Sequence, residues 1–133
     1  MADLLAAEEE ALREAVDALP TELKQVYYES ANEMFKDPDL YATLAYAFFS
    51  GLHHFYLERW GRGLIDLGLN VLGVGLIIAG AMRDSLPPTV VGVVLVLGVA
   101  IVELKDLFQS QTIVRRFNLE RQRGLLALLR ART

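Results

Sequence analysis

LIDLGLNVLGVGLIIAGAM (residues 64–82), RDS (83–85) and LPPTVVGVVLVLGVAIV (86–102) follow one another without a break, and their reading decides the fold. The first run has only Asp66 and Asn70 as strongly polar interruptions, and the second carries no charged side chain. A helix needs about 20 apolar residues to cross the hydrocarbon core of a bilayer, fewer when its flanks reach into the interface. Both runs come close to that length, and the short joint between them predicts a tight helical hairpin in a membrane. The β-branched run 89–96 would suit a buried strand in water. In lipid, an isolated strand leaves its backbone polar groups unpaired, so helix is expected. Pro87 and Pro88 fit a helix start, where missing backbone donors cost little. The competing reading is a soluble hairpin that buries both runs.

Working outward, residues 40–57 form another stretch without Asp, Glu, Lys or Arg, and the periodicity of the last run continues to residue 108. The expected fold is an all-α integral membrane protein. It has two to three membrane helices (40–57, 64–82 and 86–108) and amphipathic helical extensions at both ends, residues 1–39 and 109–133. Hydrophobic residues make up 53% of the 133, more than a soluble chain this small buries with ease. No cysteine is present, which excludes disulfides and thiolate chemistry. The opening MADLLAAEEE lacks the basic start and apolar core of a secretory signal.

Glycines punctuate the hairpin at regular spacing. Gly61, Gly68 and Gly75 are seven apart, as are Gly73 and Gly80, so each set stays near one stripe of a helix. Small residues there let a second helix approach closely, a main route to association in lipid. Asp66 and Asn70 are four apart and share a helix face. An ionisable group inside a membrane helix is costly and often marks a site or an internal pair. Asp66 also lies near the helix start, where the dipole favours an acid and where Arg62 or a histidine is in reach.

Those histidines belong to a polar corner, SGLHHFYLERWGRG, residues 50–63. Adjacent residues on a helix point about 100° apart, so His53 and His54 are not expected to share an ion, and His54 with Glu58 falls short of the usual three or four ligands. No metal, cofactor or catalytic residue is therefore expected. Tyr56 and Trp60 suit a water–lipid boundary, and Arg59 and Arg62 can reach headgroups. The corner, built on Gly51, His53, His54, Phe55, Tyr56, Arg59 and Gly63, reads as structural. No serine has a convincing general base and no phosphate-binding loop is present, so an enzyme is not expected.

Gly51-Leu52-His53-His54-Phe55-Tyr56-Leu57-Glu58-Arg59, followed by Gly63, resembles the G-x-H-x-F-Y-L-x-R signature of the two-transmembrane (TM-two) domain family. Asp106-Leu107-Phe108 is similar to the Asp-aliphatic-Phe sequence that commonly closes that family's last helix. The resemblance covers residues 40–108 and implies an integral membrane protein with no established enzymatic activity. This chain departs from the pattern at Glu58, where family members commonly have Gly, and in a longer second half.

The ends carry opposite charge. Residues 1–39 hold eleven Asp/Glu against three Lys/Arg, and residues 109–133 hold six Arg against one Glu, giving −8 and +5. Apolar residues recur at helical spacing in both: Leu4, Leu5, Leu12, Val16 and Leu19, then Leu23, Val26, Tyr27, Met34 and Phe35, and later Val114 and Phe117. The basic tail lacks the interleaved aromatics of a nucleic-acid surface. Arg115, Arg116, Arg121 and Arg123 are expected to meet anionic lipid or a protein partner.

The positive-inside tendency places Arg59, Arg62 and the C-terminus in the cytoplasm of what reads as a bacterial inner membrane. The expected role is an accessory or scaffold subunit that assembles with itself or a larger membrane complex. The alternative is a homo-oligomeric channel or proton-conducting element using Asp66 and Asn70.

Overall fold

The computed structural model describes residues 1–46 and 51–133, and every regular element among them is an α-helix. In chain order these are α1 (Ala2–Asp17), α2 (Thr21–Met34), α3 (Pro38–Tyr46), α4 (Leu52–Tyr56), α5 (Trp60–Met82), α6 (Leu86–Phe108) and α7 (Ser110–Ala131). They divide into two compact units, residues 1–37 with 112–133, and residues 38–111.

The first unit joins the two ends of the chain. Leu5, Leu12, Val16 and Leu19 pack with Tyr27 and Ala31 of α2 and with Leu119, Leu126 and Leu129 of α7. Fully burying one such leucine contributes about 1.5–3 kcal/mol, so this shared core dominates the unit. Asn118 locks α7 to the end of α2. Its Nδ2 donates to the Lys36 carbonyl at 2.9 Å, and its Oδ1 accepts from the Lys36 N–H at 2.9 Å. Residues 1–39 and 109–133, separate extensions along the sequence, each supply the partner that the other's apolar stripe needs. Leu4, Val26 and Phe35 fall outside the core and stay exposed. Leu4 lies one residue, hence about 100° of helix rotation, from the buried Leu5 stripe.

In the second unit α5 and α6 pack along their length, α3 packs on α6 and α4, and α4 packs on α5. The hairpin turn is closed by backbone bonds from Ser85 N–H to Gly80 O (2.9 Å) and from Asp84 N–H to Ala81 O (3.4 Å). That is a Schellman cap with Asp84 in the left-handed position, φ 49°. Ser85 then opens α6, and Pro87 and Pro88 sit in its first turn. Gly73, Gly80 and Gly92 line the contact between the two helices: a Cβ on Gly73 would lie 2.8 Å from Val96 Cγ2, and one on Gly80 2.8 Å from Thr89 N.

Among the described residues one helix, α5, is long and apolar enough to cross a membrane. It starts at Trp60, four residues ahead of the apolar run. Large apolar side chains stay uncovered along it and along its neighbour, including Leu64, Ile65, Val71, Leu72 and Ile78 of α5 and Val90, Val94, Leu97 and Ile101 of α6. The segment 40–57 is not one continuous helix. Residues 47–50 lie outside the described residues, and Gly51 adopts φ 58°, which interrupts helical geometry before α4 begins. Glycine reaches that conformation at little cost.

Candidate functional site

Four short-range choices build a polar centre at the open end of the hairpin. Gly51 approaches α5 so closely that a Cβ there would lie 3.1 Å from Gly63 O and 3.3 Å from Asp66 Cβ. Gly63 in turn leaves room for the Phe55 ring, which a Cβ would approach to 2.8 Å. Arg59 N–H to His54 O (2.8 Å) and Glu58 N–H to Phe55 O (2.9 Å) close α4 with a second Schellman cap, Glu58 holding the left-handed position at φ 59°. The antiparallel hairpin sets the first turns of α5 beside the last turns of α6. Asp66 thereby shares one neighbourhood with Glu103 and Asp106, and Asn70 lies buried one turn further along α5.

His53 and His54 are both fully buried and turn inward from α4. Their rings lie 3.9 Å apart, centre to centre, and both Nε2 atoms face the same carboxylate. His53 Nε2 is 3.5 Å and His54 Nε2 3.7 Å from Asp106 Oδ2. Asp66 Oδ2 is 2.7 Å from His54 Nε2. Among the described residues no well-aligned hydrogen bond reaches the four imidazole nitrogens, Asp66 Oδ2, either oxygen of Glu103, or the Tyr41 hydroxyl that closes the cluster from α3. The 3.5 and 3.7 Å approaches exceed the length of a formed N–H···O bond, about 2.7–3.2 Å, and the 2.7 Å approach lacks the alignment.

The charge balance is equally unusual. Asp66, Glu103 and Asp106 bring three carboxyl groups together, and the charges of Asp66 and Asp106 act on Glu103. Among the described residues Arg62 is close enough for its charge to act on Asp106, but the Arg62 side chain is exposed. Buried carboxylates are tolerated when paired, protonated or bound to a cation. The cluster can therefore hold protons or a cation, with donor atoms already converging.

The other residues singled out in the sequence separate into groups. Gly73 and Gly80 lie at the α5–α6 contact, while Gly61, Gly68 and Gly75 have nothing within 4 Å of their Cβ positions. Phe55 stacks near Trp60 with ring centres 5.3 Å apart, Tyr56 is half-buried, and Arg59 is exposed at the start of α5. In the first unit Arg115 grips Glu9 with two bonds (2.7 and 3.1 Å), and Arg123 lies 3.6 Å from Glu8. Arg121 caps the Phe117 ring at 5.3 Å, and Arg116 is exposed. The Glu9 carboxylate raises the Arg115 guanidinium above its ordinary pKa, and burial, then Tyr28, raises the Tyr27 phenol.

Tyr41, Glu103 and Asp106 were not counted among the site residues by sequence reasoning. The signal was present in one place: Glu103 and Asp106 are acids three apart, one helical turn, at the end of an otherwise apolar helix. Contrary to the expectation that His53 and His54 point apart, both Nε2 atoms approach Asp106 Oδ2, at 3.5 and 3.7 Å. Comparison with family models, curated proteins and solved structures finds no match to this chain.

Proposed function

We propose that the protein is a small integral membrane scaffold subunit whose α5–α6 hairpin spans the bilayer twice. The observation that carries this reading is the row of uncovered apolar side chains on both hairpin helices, which in water would form a large exposed patch. Lipid covers such a row without further partners. The core shared by the two chain ends supports a topology in which both lie on one side of the membrane, with an even number of crossings between them. On this topology the positive-inside tendency of Arg59, Arg62 and the basic tail puts both ends in the cytoplasm.

The paired ends present acidic and basic helix faces for a protein partner, while the open glycine stripe of Gly61, Gly68 and Gly75 suits a second membrane helix. The G-x-H-x-F-Y-L-x-R stretch supports a relationship to TM-two domains. A second reading, proton or ion conduction through an oligomer, draws on the buried Asp66, Asn70 and Glu103.

Alkaline carbonate extraction of membranes from expressing cells tests the first claim: the protein is expected in the pellet, and release to the supernatant refutes it. Purification in mild detergent then tests the role. Co-purification with a defined membrane complex is expected for a scaffold. Proton flux in liposomes that is lost in Asp66→Asn selects conduction instead.

A further inference from the structure

The buried centre has features that a pair of neutral histidines hydrogen-bonded to acids does not share. His53 and His54 are 0% exposed, and among the described residues no well-aligned hydrogen bond reaches their nitrogens, while both Nε2 atoms converge on the Asp106 carboxylate. The donor atoms of His53, His54 and Asp106 lie within 4.8 Å of one another. A tetrahedral Zn²⁺ with bonds of about 2.0–2.2 Å sets its donors about 3.3–3.6 Å apart. The His53 and His54 Nε2 atoms lie 3.5 and 3.7 Å from Asp106 Oδ2, at and just beyond those edges. We propose that His53, His54 and Asp106 bind a divalent transition-metal ion of the zinc class.

The chemistry of the donors selects the ion. Two imidazoles with carboxylate oxygens and no thiolate suit Zn²⁺ and its first-row neighbours, whereas Ca²⁺ and Mg²⁺ prefer all-oxygen shells. A dication also offsets the charge that Asp66, Glu103 and Asp106 concentrate in a buried space. It leaves the two Nδ1 atoms without a partner, and it satisfies both Nε2 atoms. Because the ligands come from α4 and α6, the ion ties the corner to the open end of the hairpin. The site lies within the 38–111 unit and stands independently of the scaffold reading.

The test uses the full chain purified in mild detergent. After dialysis against a weak chelator and loading with Zn²⁺, elemental analysis is expected to find one zinc per chain, and competition with a chromophoric chelator gives its affinity. Asp106→Asn and His53→Ala are expected to weaken binding by more than the roughly 10–100-fold that loss of an outer-shell partner costs. Helical circular dichroism and gel filtration report whether those variants fold. His54→Cys decides the matter even if they do not: with Co²⁺ it keeps the ion and gains a thiolate-to-cobalt charge-transfer band absent from the wild type. Failure of the wild type to take up stoichiometric Zn²⁺ overturns the proposal. So does wild-type affinity in folded Asp106→Asn and His53→Ala, or a Co²⁺-loaded His54→Cys protein without the thiolate band.

Discussion

Gly73 and Gly92 face each other across the hairpin so closely that a Cβ built on Gly92 would collide with the Gly73 carbonyl oxygen. The same Cβ would lie 2.8 Å from Ile77 Cγ1 and 2.9 Å from Ile77 N, so backbone as well as side chain stands in its way. Backbone-to-backbone approach of this kind brings α5 and α6 into contact over the lengths that flank it.

Gly92→Ala is therefore expected to destabilise the hairpin by about 1–3 kcal/mol, the usual cost of overpacking a close contact. Gly75→Ala, which meets open space, is expected to leave stability unchanged or slightly raised. Thermal unfolding in detergent, followed by helical circular dichroism, compares the two. Equal losses in both variants would mean that the Gly73–Gly92 approach does not hold the helices together.

Why some of this was legible and some was not follows from what a sequence displays. Length and apolarity alone mark residues 64–82 and 86–102 as helices, and Arg83-Asp84-Ser85 with two prolines marks the turn. Seven-residue spacing groups glycines by stripe, but it does not say which stripe meets a partner. The structure uses Gly73 and Gly80 and leaves Gly61, Gly68 and Gly75 open. The centre was half legible. Asp66 near a corner histidine follows from the chain's turn, while Glu103 and Asp106 reach the same place only because the hairpin returns there. The opposite charge of the ends is plain in the sequence. Their shared core is a long-range pairing that periodicity cannot announce.

Glu58 and Asp84 both occupy the left-handed position of a Schellman cap, at φ 59° and 49°. A residue with a Cβ incurs about 1–2 kcal/mol in that conformation, and glycine avoids it. Glu58→Gly and Asp84→Gly are each expected to raise the unfolding temperature, by an amount corresponding to about 1 kcal/mol. A fall in stability for both variants would show that side-chain bonding at these caps outweighs backbone strain.

In the first unit the apolar core and the ion pairs are separable. Leu126 is 6% exposed and belongs to the core shared by α1, α2 and α7, whereas the Glu9–Arg115 pair is open to water and screened. Leu126→Ala is expected to cost about 2–5 kcal/mol. Glu9→Gln is expected to change stability little, and high salt to leave the unit folded. Protease sensitivity of the ends, read alongside thermal unfolding, checks both. Unfolding of the unit by salt alone would reverse the ranking.

The topology itself rests on the shared core of the ends. Leu5, Leu12 and Val16 from one end contact Leu119, Leu126 and Leu129 from the other, and no such core forms across a bilayer. On the proposed membrane reading both ends then lie on one side, which an even number of crossings satisfies and three full spans do not. The absence of native cysteine makes the test direct. A single cysteine is placed at Ala2 or at Thr133, both exposed, and an impermeant thiol reagent is applied to intact cells and then to opened ones. Protection of both positions in intact cells, with labelling of both after opening, is the expected result and corresponds to two crossings with cytoplasmic ends. Labelling of both in intact cells keeps the shared core but inverts the orientation inferred from Arg59, Arg62 and the basic tail. Labelling of position 2 alone requires an odd number of crossings, and with it the packing of α1 against α7 fails in the membrane.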